Sequence, residues 1–153
     1  MADITIDVAD EADREWCARL MASSEPWLTL GRDFATCLAR CRGAELVVLM
    51  ARRGGERRGF VLLDPAGVAG SPYIASIATS AAVRGQGVGS ALLEAAEQWL
   101  PEARHMFLCV SSFNTRARQL YERRGYTKVG EFKDYVFAGA SEILMHKRLV
   151  RRP

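Results

Sequence analysis

Apolar and polar residues alternate over residues 3–8, with Ile4, Ile6 and Val8 on one side, the pattern of a half-buried strand. Asp10 then stands where a helix cap is expected, and residues 10–21 carry Trp16, Cys17, Leu20 and Met21 at helical spacing. Residues 23–31 break that pattern through Pro26. Phe34, Cys37, Leu38 and Cys41 mark a second short helix, ended by Gly43. Residues 45–51 and 59–63 read as two strands joined across a polar, Gly-bearing turn over 52–58. A second Gly/Pro loop is expected over 64–72, then a strand over 73–79. Residues 87–100 give the clearest helix, with Val88, Ala91, Leu92, Ala95, Ala96 and Trp99 on one face and Pro101 as its stop. A strand over 105–110, a helix over 114–124 closed by Gly125, and strands over 126–137 and 142–150 around Gly139 complete the chain. The order is β-α-α-β-β-β-α-β-α-β-β. Hairpins mixed with single crossovers point to an α/β domain with a mixed sheet covered by helices.

Length sharpens this to one domain over 1–153, since domains commonly run to about 100–150 residues. The longest apolar run, Leu46 to Ala51, is too short to span a bilayer, and no basic, apolar leader follows Met1-Ala2-Asp3. A cytoplasmic protein with no membrane partner is expected. Charge adds little. The 21 basic residues against 18 acidic ones leave a net of +3, too small to argue for a nucleic-acid partner. It suits a local site for an anionic ligand. The Arg cluster of the 52–58 turn reads as a solvated loop rather than a binding patch. Cys17, Cys37, Cys41 and Cys109 form no C-x-x-C pair and have no evident His companions, so no metal site is expected. They read as small apolar residues in a reducing compartment.

The chemistry concentrates in Arg84-Gly85-Gln86-Gly87-Val88-Gly89-Ser90, between a strand and the best helix of the chain. Three glycines in five positions expose backbone N–H groups and let a ligand approach closely. The helix behind adds its positive dipole end, and Arg84 adds a fixed charge. A phosphate-bearing ligand fits such a site. A Walker A loop is excluded, because no Lys follows these glycines. The dinucleotide fingerprint fails as well: the glycines run G-x-G-x-G and do not open a β-α-β unit at the start of the chain.

The run Arg84-x-x-Gly87-x-Gly89 resembles the pyrophosphate motif of the GNAT N-acetyltransferase superfamily. Asn114-x-x-Ala117-x-x-Leu120-Tyr121-x-x-x-Gly125-Tyr126, thirty residues on, resembles that family's second motif. The resemblance implies a GNAT-like fold and acetyl-CoA as acetyl donor to an amine acceptor, a small molecule or a peptide or protein amine. It implies that the backbone of Ile77, Ala78 and Thr79 pairs with the pantetheine arm, that Arg84, Gly85, Gln86, Gly87, Val88, Gly89 and Ser90 hold the pyrophosphate, and that Asn114 bonds the arm. Tyr121 would be the general acid; it also fits as a core aromatic. Asn114, Ala117 and Tyr121 fall on one helix face, as one ligand arm requires.

In branches of the family that acetylate protein N-termini, a Glu precedes the motif Asn by five residues. Cys109 stands there instead, which weakens that option and leaves the base open. A water chain held by Tyr73 and Ser76 is the first choice, with Glu25 and Glu142 as the others. His105 and His146 read as structural. The acceptor site is expected from Glu25, Trp27 and Leu28 in the first loop and from Tyr135, Phe137 and Glu142 on the last hairpin. A homodimer is compatible with the sequence. The competing readings are a non-catalytic acyl-CoA-binding or sensing module and a Rossmann-like nucleotide domain.

Overall fold

A computed structural model describes residues 3–151. Met1 and Ala2, part of the stretch read for a leader, lie outside the described residues. The elements are β1 (Ile4–Val8), α1 (Glu11–Ala22), α2 (Phe34–Cys41), β2 (Val47–Arg53), β3 (Glu56–Val68), β4 (Ser71–Thr79), α3 (Val88–Trp99), β5 (His105–Ser111), α4 (Thr115–Arg123), β6 (Thr127–Phe137) and β7 (Ala140–Arg148). A short 3-10 turn, Ala81–Val83, lies between β4 and α3 and has no counterpart in the expected order. The strands form one sheet in the order β1-β2-β3-β4-β5-β7-β6. Only β4 and β5 run parallel. The mixed, helix-covered sheet expected from the element order is the one observed.

Both faces of the sheet are covered, which explains why its central strands read as unbroken apolar runs. On β2 and β3, Leu49, Ala51, Val61 and Leu63 face the core shared with Val88, Leu92, Leu93 and Ala96 of α3. Val48, Met50, Phe60 and Leu62 face the opposite core, made with Cys17, Ala18 and Met21 of α1 and Cys37 and Cys41 of α2. Trp99, placed on the buried stripe of α3 by its spacing, is 40% exposed; Leu93 takes the inward position.

One loop is corrected. Residues 64–72 are not an open loop: β3 runs on to Val68, β4 begins at Ser71, and the two pair again at Val68↔Ser71. Ala69 and Gly70 both hold positive φ, the two-residue turn whose twist suits a hairpin. Pro65 and Gly67 sit in the register irregularity between Asp64 and Val68, where a missing donor does no harm. The 52–58 turn is likewise tighter than expected, because β2 extends to Arg53 and β3 starts at Glu56. The last strand spans Ala140–Arg148 rather than 142–150.

Helices α1 and α2 are held by charge as well as packing. Asp13 and Asp10 form a reciprocal capping box at the start of α1. Asp13 also accepts from Arg57 Nε at 2.7 Å and from Arg52. Burial raises its pKa, but these donors and the Asp10 N–H outweigh it and hold the carboxyl at about 2. The Arg cluster of the turn thus ties β2 and β3 to α1. Arg42 pairs with Glu11, joining α2 to α1.

Candidate active site

The parallel β4–β5 ladder is short: it covers Tyr73↔Phe107 and Ile74↔Leu108 and stops. Beyond it the strands part, so the β5-facing edge of residues 75–79 is left without a strand partner. Two cavities meet this gap. One, of about 460 Å³, is lined by Ile77, Ala78 and Thr79 of β4, the glycine loop, and α4. The other, of about 550 Å³, is lined by Tyr73, Ala75 and Ser76 of β4, Cys109 of β5, and residues of α1, α2, β6 and β7. Strand β4 therefore passes from one cavity to the other within a few residues.

The first cavity has the chemistry of an anion site. Gly85 and Gly87 hold φ of +81° and +83°, the left-handed region that favours glycine. A Cβ at either would meet open space, so the conformation rather than crowding demands glycine. Gly87 is the N-cap of α3 and no side chain caps that helix end. The first-turn N–H groups of Val88, Gly89 and Ser90 are left for a ligand. Arg84 lines the same cavity. Gln86 does not; its carboxamide turns back, accepting from Arg53 Nη1 at 2.9 Å. Asn114 lines the cavity and caps α4, its Oδ1 accepting from the Ala117 N–H at 3.4 Å. Both roles expected of it are compatible.

Tyr121 is 6% exposed, lies edge-on to Tyr126 at 6.3 Å, and still borders this cavity. Burial pushes its pKa up, so the hydroxyl keeps its proton across the neutral range. Arg116, Arg123, Leu120, Val83 and Ser24 also line the cavity and were not among the expected site residues. Arg116 and Arg123 are visible in the sequence only as charges on an Arg-rich helix. The cavity shows that they are on the face shared with Tyr121.

The second cavity is mostly apolar, walled by Met21, Trp27, Leu30, Val68, Phe132, Tyr135 and Leu144. Trp27, Tyr135 and Glu142 stand where the sequence puts them. Leu28 and Phe137 do not line it; they are 54% and 52% exposed. Glu25 borders the other cavity and accepts from Thr29 at 2.6 Å. Phe132, missed in the sequence because it lies mid-strand on an exposed edge, supplies the extra aromatic wall.

Glu142 is half-buried opposite Ser111, whose Oγ donates to it at 2.9 Å. Burial raises its pKa, partly offset by the Ser111 hydroxyl. Tyr73 hydrogen-bonds Cys109. Burial raises the Cys109 pKa as well, and the Glu142 carboxylate adds to this; the Tyr73 bond works the other way. A thiol so placed stays protonated and is a poor nucleophile. Ser76 gives its hydroxyl proton to the Ala75 carbonyl at 2.7 Å. His105 and His146 contact each other at 2.9 Å, beside Phe107, and border neither cavity.

A model of the acetyltransferase (GNAT) family matches residues 8–126. The chain belongs to this family. Its enzyme class is that of an acetyl-CoA-dependent N-acetyltransferase. The fold agrees with solved structures at low identity. The ribosomal-protein-S18-alanine N-acetyltransferase of Escherichia coli is 20% identical with a TM-score of 0.78, covering 99% of this chain and 97% of its own. An aminoglycoside 6'-N-acetyltransferase solved with coenzyme A is 15% identical at 0.80, with 97% and 99% covered. Ard1 of Thermoplasma volcanium is 20% identical at 0.79, with 97% and 99% covered. No curated protein matches the sequence. No helix among the described residues is long and apolar enough to cross a membrane.

Proposed function

We propose that the chain transfers the acetyl group of acetyl-CoA to an amine by direct attack, with the two cavities as donor and acceptor sites. The observation that carries this reading is the end of the β4–β5 pairing, after which β4 passes from an apolar cavity to a glycine-loop cavity. The pyrophosphate sits on the N–H groups of the glycine loop and the first turn of α3, beside Arg84. The pantetheine arm runs along Ile77, Ala78 and Thr79, past Asn114, and brings the thioester to the gap.

The amine enters from the acceptor side. Glu142 takes its proton: it is half-buried, and its raised pKa makes it a better base than an ordinary carboxylate. This replaces the water chain as first choice, because Ser76 has its hydroxyl committed to its neighbour's carbonyl. The free amine attacks the thioester carbonyl, and the new C–N bond gives a tetrahedral oxyanion. A β4 edge N–H offers it a donor. Collapse breaks the C–S bond, Tyr121 gives its proton to the leaving thiolate, and the proton lost by the acylated nitrogen restores Tyr121. Burial keeps that hydroxyl protonated until the thiolate forms.

The test is release of free CoA thiol from acetyl-CoA in the presence of single amines, with mass detection of the acetylated product. Thiol release tied to product supports the reading. Tight binding of acetyl-CoA with no product from any amine would instead support a non-catalytic acyl-CoA module.

A further inference from the structure

The acceptor cavity carries more than one charge. Besides Glu142, the guanidinium-bearing Arg32 and Arg40 line it. Neither Arg side chain has an ion pair or hydrogen bond among the described residues, whereas Arg42, Arg52 and Arg57 nearby in the chain are all paired. Arg40 stands at the last turn of α2, whose Cys37 and Thr36 also border the cavity. Glu142 of β7 lines the same cavity. Tyr73 lines it as well, and its hydroxyl feels both charges: on top of a larger rise from burial, Glu142 pushes the pKa up and Arg40 pulls it down. The rest of the lining is the apolar wall of Trp27, Phe132, Tyr135 and Leu144.

From this arrangement we infer that the acceptor is a small amino carboxylate with an apolar side chain, such as a free aromatic or aliphatic amino acid. Its ammonium meets Glu142, its carboxylate meets Arg40 with Arg32 beside it, and its side chain lies against Trp27, Phe132 and Tyr135. The inference rests on the acetyl-transfer reading above. Three features carry it. The cavity volume of about 550 Å³ lies in the small-ligand range of roughly 300–1,000 Å³. One carboxylate and two unpaired guanidiniums in the described lining of one cavity match a zwitterion and oppose a polycation, for which a second ammonium would meet Arg32 or Arg40. A guanidinium also recognises a planar carboxylate with two parallel N–H donors, which an amide or an unsubstituted amine cannot accept equally.

The reaction balances without a further reactant. The acceptor ammonium loses one proton to Glu142 and the amine forms the new C–N bond; the second proton leaves that nitrogen as the adduct collapses and restores the one Tyr121 gives up. The C–S bond breaks, and the thiolate takes the Tyr121 proton. The N-acetyl product has lost its cationic group and keeps its carboxylate, so its hold on Glu142 is gone while its hold on Arg40 remains.

The test compares L-phenylalanine, L-phenylalaninamide, phenethylamine and spermidine as acceptors, in the wild type and in Arg40→Gln, by CoA thiol release. The expected kcat/KM for phenylalanine exceeds that for the amide and phenethylamine by at least tenfold, and spermidine is the poorest. Arg40→Gln is expected to raise KM for phenylalanine at least tenfold more than KM for phenethylamine, in line with about 1.5 kcal/mol for a hydrogen bond to a charged group. Turnover of phenethylamine or the amide equal to that of phenylalanine overturns this inference and leaves acetyl transfer standing. So does an equal change in KM for both acceptors in Arg40→Gln. No product from any of the four overturns the acceptor class as well, and binding of acetyl-CoA by calorimetry then shows whether the donor site also fails.

Discussion

At the scale of single residues, environment decides which of several similar groups does the chemistry. Glu25 and Glu142 look equivalent in the sequence, but of the two only Glu142 borders the apolar cavity, where burial raises its pKa. A base must be deprotonated to act, so activity should fall as pH drops through its pKa, in a limb lying above the ordinary carboxylate value of about 4.3. Glu142→Gln should lower kcat/KM by roughly 10²–10⁴ and remove that limb from the pH–rate profile. A limb that survives the substitution belongs to another group. Gly87 makes the converse point: its site is open, and only its positive φ restricts it. Gly87→Ala should cost about 1–2 kcal/mol of backbone strain and raise KM for acetyl-CoA at least tenfold, seen in steady-state kinetics at varied donor. That the glycines, Asn114 and Tyr121 would gather at one cavity was legible in the sequence, because the spacing of the two motifs is itself the signal. Arg40, Arg32 and Phe132 were not, because a charge on a short helix or an aromatic on an edge strand carries no local mark of what it faces.

At the scale of elements, the sequence pattern placed each α-helix and strand among the described residues, and it failed where backbone geometry overrode composition. Pro65, Gly67 and Gly70 spell a loop, but a register irregularity and a two-residue turn absorb them into the β3–β4 hairpin. Val68, on that extension, then helps wall the acceptor cavity. The ion pairs of Asp13 were equally hidden, since Arg52 and Arg57 lie far along the chain and read as solvated turn residues. Asp13 is held at about 2, below its unfolded value of about 3.9, so its contribution is present above the unfolded pKa and is lost as pH falls through the folded one. Asp13→Asn should therefore destabilise the protein by about 2 kcal/mol at neutral pH, lowering Tm by roughly 4–8 °C. The difference from wild type should shrink between about pH 4 and pH 2 in acid melts.

At the scale of the molecule, one partial separation of two parallel strands organises the site. The ladder between β4 and β5 closes at Ile74↔Leu108, and the two cavities open from that point toward opposite helix layers. The family resemblance was legible because its two motifs flank the donor cavity, which α3 and α4 build from short, contiguous stretches. The apolar cavity is assembled from α1, α2, β3, β4, β5, β6 and β7 and the loop after α1, so no single stretch announces it. Ligand binding to the folded state alone should show as stabilisation: acetyl-CoA at about 100 times its Kd should add roughly 2.7 kcal/mol, read as a rise in Tm that NAD and ATP do not reproduce. The most direct test of the whole account is the turnover of Tyr121→Phe beside its affinity for acetyl-CoA. The account predicts kcat reduced at least tenfold with Kd for acetyl-CoA within about twofold of wild type. Unchanged turnover in that variant would contradict it.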